Sequence, residues 1–188
     1  MIEFLYHVDV SLFYFINHTL SNGLFDMVMP AITTVKHYYP LYALLFIVLL
    51  WKGGSRGRWC ALFLVIAVAI SDPVNSRLLK EEAGRERPCR ELKDVNLLVN
   101  CGGGKSFPSS HAVNNFAGLI VFAWFFRRWG WIWLLMAISI SFSRVYVGVH
   151  YPSDVLGGAV VGMILGGFVL FVGNKARFKY FRSKDETG

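Results

Sequence analysis

Long apolar runs broken by short polar connections set the pattern of this chain. The runs cover 24–35, 39–51, 59–70, 112–126, 129–142 and 155–172. Most fall short of the roughly 20 residues that cross a hydrocarbon core, so each must extend into its less apolar flanks. That places the polar residues between the runs at helix ends. The pattern predicts an all-α fold: an integral membrane helical bundle with about six transmembrane helices, built as one domain over 1–188. Ahead of the first run, residues 1–20 mix Glu3, His7, Asp9, Asn17 and His18 with Phe, Leu and Tyr. This mixture predicts an amphipathic helix lying in the interface rather than a span. The longest polar stretch, 80–109, reads as an extramembrane loop that borders the site, and 175–188 as a basic cytoplasmic tail.

Composition agrees with the pattern. The chain is 55% hydrophobic and only 16% charged, against about 25% charged residues in soluble domains. Its six tryptophans cluster near the ends of apolar runs, as in the aromatic belts at headgroup depth. A net charge of +7 raises nucleic acid as a partner, but the basic residues sit in short connections and the tail. There they suit membrane lipid headgroups, and a nucleic-acid partner is excluded. The first twenty residues show neither a basic start nor a small-residue cleavage site, so no removable signal peptide is expected.

Orientation follows from the connections. Lys52, Arg56 and Arg58 lie in one, Arg127 and Arg128 in another, and the basic tail follows the last run. If the helices alternate, all three lie on one side, which the positive-inside rule makes cytoplasmic. The 80–109 loop and the 144–151 connection then share the opposite face. In the last helix Gly158, Gly162 and Gly166 recur every four positions, a stripe that lets another helix approach closely. Cys60 reads as a small buried hydrophobe. Cys89 and Cys101 flank one polar loop, and spacing alone leaves their pairing open. No cysteine or histidine spacing suggests zinc.

Three separated pieces carry candidate chemistry: Lys80-x6-Arg87-Pro88, Pro108-Ser109-Ser110-His111, and Ser143-Arg144-x5-His150-x3-Asp154. Arg144 ends an apolar helix with no acid within five positions. Alone it reads as an arginine reaching for headgroups; beside Lys80 and Arg87 on the same face, a shared phosphate is the better account. Ser109 and Ser110 stand where the long loop becomes a helix, a place for an N-cap or an anion cradle. Asp154 can fix the tautomer of His150 and leave its other nitrogen free to attack phosphorus. His111 can then protonate the departing oxygen. Arg85, Arg90 and Lys105 read as solvated loop cations. Gly104-Lys105-Ser106 is similar to the end of a nucleotide-binding loop, but Val99 stands where that motif needs glycine, and the reading is rejected.

The three pieces resemble the tripartite signature of the type 2 phosphatidic acid phosphatase superfamily. The first and third match fully; in the second, Ser110 stands where glycine is usual. The resemblance implies a metal-independent, cofactor-free phosphatase with His150 as nucleophile, Asp154 orienting it and His111 as acid and base. Lys80, Arg87, Ser109, Ser110 and Arg144 would bind the phosphoryl oxygens. It further implies a bacterial inner-membrane enzyme whose site faces the periplasm or cell exterior and whose partner is a phosphorylated lipid. Undecaprenyl pyrophosphate is the first candidate, with phosphatidylglycerol phosphate, phosphatidic acid and lipid A as alternatives, and phosphoryl transfer to another lipid open beside hydrolysis. A non-enzymatic anion-binding membrane protein is the remote alternative. Oligomeric state is left open.

Overall fold

The computed structural model describes residues 2–186, and among them the chain is helical with no strand. Helix α1 (Ile2–Tyr14) runs into a π-helical turn, Phe15–Thr19. Helix α2 (Gly23–Thr33) starts under a side-chain cap, where Asn22 Oδ1 accepts from Phe25 N at 3.1 Å, meeting one of the donors a helix start leaves unpaired. A 3-10 turn, Val35–Tyr38, leads to α3 (Tyr39–Trp51), whose Pro40 sits in the first turn where its missing N–H costs no bond. Helix α4 (Gly54–Pro73) continues through a π-helical stretch, Val74–Leu79, into the short α5 (Lys80–Ala83). The site-bearing loop then holds one further turn, α6 (Pro88–Glu91). Helices α7 (Ser110–Phe125), α8 (Gly130–Tyr146) and α9 (Pro152–Glu186) complete the bundle. The last helix carries on through the basic stretch expected as a tail; 187–188 lie outside the described residues.

Among the described residues, two helices are long and apolar enough to cross a membrane, Gly54–Glu91 and Pro152–Phe178. The α2–α3 pair, bent by 68°, makes a third if it is one broken span. The expectation of about six counted α2, α3, α7 and α8 as separate crossings. At 11, 13, 16 and 17 residues they are shorter than the roughly 20 that span the core alone.

The bundle is held by close backbone approach. The glycine stripe of α9 faces α7: a Cβ on Gly162 would stand 2.3 Å from Val113 O, and one on Gly166 2.6 Å from Ala117 O. Without water in the surroundings, such van der Waals contact is what brings helices together. Small and aromatic residues of α4, α7 and α9 fill the core below, among them Cys60, Phe63, Ala67, Ala117, Val121 and Phe125. Outward, Trp51, Trp124, Leu135, Ile164 and Phe171 are exposed, an apolar surface far beyond what a water-soluble monomer shows.

A second packed region covers the site. The α8–α9 connection, Val147 to Tyr151, is buried throughout. Gly148 turns it with φ +85°, and a Cβ there would meet Val95 Cγ1 at 2.7 Å, so both backbone and space require glycine. Helix α1 differs from the interfacial expectation in what one face does. Asp9, Phe13 and Asn17, four apart, are all buried. Phe13 packs on Val145 and Tyr151, while Asn17 Nδ2 donates to Tyr146 O at 2.7 Å and Asn96 O at 2.9 Å. The N-terminal helix is therefore docked on the connection that carries His150.

Candidate active site

His150 sits in the buried connection just before α9, and Asp154 in the first turn of that helix. The carboxylate is held from four directions. Its Oδ2 accepts from Tyr151 N at 2.8 Å and from Ser106 Oγ, and lies 3.3 Å from His150 Nδ1. Its Oδ1 is paired with Arg85 at 2.9 Å. With Nδ1 engaged by Asp154, the imidazole turns Nε2 toward Arg87, whose Nη1 is 3.3 Å away. Burial pushes the His150 imidazole below its usual range against the opposing pull of Asp154, so the ring is neutral near pH 7.

Of the three expected cations, Arg87 contacts this histidine, and Lys80 and Arg144 lie near enough to Arg87 to act on it electrostatically. Arg87 is buried, donating to Gly103 O, Gly104 O and Val149 O at 3.1–3.2 Å. Lys80, also buried, donates to Lys105 O at 2.8 Å and Ser106 O at 3.3 Å. Arg144 Nη1 donates to Thr33 Oγ1 at 2.6 Å, and its buried Nε has no partner among the described residues. His111 lies near Arg144, His150, Arg87 and the Thr33 backbone.

The helix-start serines divide their work. Ser109 N donates to Asp154 O at 3.0 Å, tying the start of α7 to the start of α9. Ser109 holds the N-cap position but makes no side-chain cap bond, and its Oγ is buried without a partner among the described residues. Ser110 Oγ accepts from Asn75 Nδ2 at 2.9 Å. Neither hydroxyl is spent on capping α7.

Arg85 is a correction. Expected in solvent, it bridges Asp154 and Asp9, with Nη2 to Asp9 Oδ2 at 2.7 Å, and stacks on the Tyr151 ring at 3.8 Å. Asp9 also accepts from Ser153 N at 2.9 Å. Arg90 bonds Gly102 O and Lys105 pairs with Glu86 at the exposed rim. The glycine run that was rejected as a nucleotide loop works with the opposite polarity: its carbonyls clasp Arg87 and Arg90, rather than its N–H groups cradling an anion. Cys101, next to the glycine run, forms a disulfide with Cys89, Cα–Cα 6.1 Å.

Among the described residues, Lys80, Arg85, Arg87 and Arg144 thus stand against Asp154 and Asp9, both paired with Arg85, and Asp72 near Lys80. Such an excess of buried cations is costly unless an anion shares the site. Among the described residues no group of three or more His, Cys, Asp or Glu is placed to hold a metal ion. Beside His111 a cavity of about 620 Å³ opens, with Tyr42, Phe46, Leu64, Val68 and Trp133 along its walls and Ser110 and His111 at its polar end.

Fold and site together define a helical membrane protein with a cationic, histidine-bearing candidate site. Its family follows from comparison: the PAP2 superfamily profile matches residues 58–178, and the chain belongs to that family of membrane lipid phosphatases. It is 35% identical to a lipid A 4'-phosphatase of Bacteroides thetaiotaomicron, across 93% of this chain and 81% of that protein. It is 32% identical to the undecaprenyl-diphosphatase BcrC of Bacillus subtilis, across 82% and 78%. Among solved structures, LpxE of Aquifex aeolicus superposes with a TM-score of 0.71 at 27% identity, covering 87% of this chain and 94% of that one.

Proposed function

We propose that this chain removes a phosphoryl group from a lipid through a phosphohistidine at His150. The observation that carries this is the Asp154-held imidazole with Arg87 at its Nε2 and with Lys80 and Arg144 close beside that guanidinium. In the first step His150 Nε2 attacks phosphorus and the bond to the lipid oxygen breaks, its electron pair staying on that oxygen. Burial and the neighbouring Arg144 hold the His111 imidazole below its usual range; the bound phosphoryl dianion opposes both, so His111 takes up a proton with the substrate and donates it to complete the leaving hydroxyl. In the second step His111 takes a proton from water, the water oxygen attacks phosphorus, and the P–N bond breaks to release phosphate and restore His150. Lys80, Arg87, Arg144, and the backbone and hydroxyl at Ser109 and Ser110, bind the phosphoryl oxygens. The unpaired Arg144 Nε and Ser109 Oγ are donors that such oxygens satisfy. The chain's own cations supply the charge stabilisation that a metal gives elsewhere, and the proposed reaction is metal-independent.

The cavity beside His111 takes the lipid end of the substrate. Relatives named for a polyprenyl diphosphate and for a lipid A phosphate support a phosphorylated lipid, and undecaprenyl pyrophosphate is the first to test. Phosphate release should be seen from purified protein in detergent with EDTA, and should fall by at least a thousandfold in His150→Ala. Full release by that variant would contradict the assignment of the nucleophile.

The site faces the outside of a bacterial inner membrane in this reading. The basic connections at 52–58 and 127–128 lie across the bundle from it, and the Cys89–Cys101 disulfide in the site-bearing loop suits an oxidising compartment. A cysteine placed at Ser55 should react with an impermeant maleimide only after the cells are opened. Labelling of intact cells would reverse the orientation.

A further inference from the structure

Asp9 lies on α1, outside the residues 58–178 that match the family profile, yet it is buried and reaches the residues around the nucleophile. Its Oδ1 accepts from Ser153 N at 2.9 Å, and its Oδ2 accepts from Ser153 Oγ and from Arg85 Nη2, the latter at 2.7 Å. Ser153 is the second residue of α9, and the first N–H groups of a helix have no partner within it. Tyr151, just before that helix, offers no side-chain cap, since its hydroxyl donates to Glu91 Oε2 at 2.9 Å. Asp9 caps α9 from another helix instead, one residue from Asp154.

The same contacts form a chain of alternating charge. Asp9 meets Arg85 at 2.7 Å, Arg85 meets Asp154 at 2.9 Å, and Asp154 meets His150 Nδ1 at 3.3 Å. Arg85 clamps Asp154, but its charge also draws on the carboxylate. Alone, it would weaken the support Asp154 gives the imidazole, which becomes positive as Nε2 bonds to phosphorus. Asp9 offsets that charge, so Asp9, Arg85 and Asp154 together stay net negative behind His150. We propose that Asp9 is a positioning residue of the reaction: through Arg85 and Ser153 it keeps Asp154 in place and its charge directed at His150. This makes α1 part of the catalytic unit, and it rests on the phosphohistidine reading above.

Other residues also hold α1 on the bundle. Phe13 packs with Val145 and Tyr151, Asn17 Nδ2 donates to Tyr146 O at 2.7 Å, and Tyr14 Oη donates to Lys93 O at 2.8 Å. Phe4, Leu5, Val8 and Leu12 are exposed on the same helix, an apolar face that suits a lipid interface. A change at Asp9 that keeps its shape therefore separates its charge from the docking of the helix. Asp9→Asn does this: its amide oxygen can still accept from Ser153 N, while Arg85 loses one of its two carboxylates.

The test uses the full chain in detergent and whichever of undecaprenyl pyrophosphate, phosphatidylglycerol phosphate and lipid A the wild type turns over fastest. Asp9→Asn should lower kcat by about tenfold and leave KM within about twofold, as expected for a misdirected reacting group. Asp9→Glu, which keeps the charge, should recover part of that loss. In an Arg85→Ala background the Asp9→Asn change should cost no more than about twofold, because residues acting through one another are not additive. Tyr14→Phe, which loosens the docking and leaves the charges alone, should keep kcat within about twofold of wild type. If Asp9→Asn yields no folded protein, Asp9→Ser takes its place with the same expectations. Unchanged kcat, a rise in KM alone, equal losses in the Asn and Glu variants, or a full further loss in the Arg85→Ala background would overturn the role of Asp9 and leave the phosphatase reading intact. Failure of the wild type on all three lipids, or full activity in His150→Ala, would overturn the parent reading and this one with it.

Discussion

Asp154 has one oxygen committed to the nucleophile's side and one committed to Arg85, and that division sets how His150 is held. The Oδ2 atom gathers Ser106, Tyr151 N and His150 Nδ1, while Oδ1 takes the guanidinium. Arg85 is in turn anchored by Asp9 and flattened on Tyr151. The Arg85→Ala variant should therefore lose kcat by about tenfold to a hundredfold, the scale on which small misplacements of a reacting group act. Its KM should change little, because the phosphate-binding cations are untouched. Arg85→Lys should recover part of the loss, since it keeps the charge but not the fork that spans two carboxylates. A KM effect with normal kcat would instead make Arg85 a substrate ligand. This residue also marks the limit of reading the sequence. Lys80, Arg87, Arg144, His150 and Asp154 were legible because a phosphate needs cations and a histidine needs a partner. Arg85 stands two residues from Arg87 and five from Arg90, and nothing in that spacing separates a buried clamp from a rim charge. Thr33, Asn75 and Ser106 were invisible for a similar reason: their contacts cross 111, 35 and 48 residues.

Helices α7 and α9 meet through glycine, and the contact reaches the chemistry. Gly158 lies against Ser109 O and Ala112, one turn below the bond from Ser109 N to Asp154 O. Moving α9 outward would separate the helix start bearing Ser109–His111 from the one bearing Asp154. Gly162→Leu should thus lower the unfolding temperature in detergent and reduce activity, at a cost of about 1–3 kcal/mol or more for overfilling a packed contact. Gly167→Ala is the control: a Cβ there meets nothing within 4 Å, so both readouts should stay at wild-type values. Equal effects from the two would show that the seam has no special role. The stripe at 158, 162 and 166 was readable from spacing alone. The stripe at Asp9, Phe13 and Asn17 carried the same information for α1, yet its polar members suited an interfacial helix as well as a docked one. Burial decides between those, and burial depends on a loop some 80 residues away.

At the scale of the molecule, the buried cations and the cavity give the bundle a direction. Buried cations and the disulfide-clipped loop gather at one end, exposed apolar side chains surround the middle, and the cavity joins the two regions beside His111. A phosphorylated lipid has the same layout, so the substrate can bind with its headgroup in the cationic end and its chain still in the membrane. Length and composition alone do not fix the number of crossings, because α2 and α3 are short apolar runs joined at a 68° bend, and hydropathy does not register a bend. The account depends most on the covalent intermediate. The measurement is rapid acid-free quenching of the enzyme mixed with 32P-labelled lipid phosphate, followed by peptide mapping. Label should appear on the peptide holding His150, be stable to alkali and lost in acid, and be absent in His150→Ala. Efficient turnover with no labelled enzyme at any quench time, or label on a different residue, would contradict it.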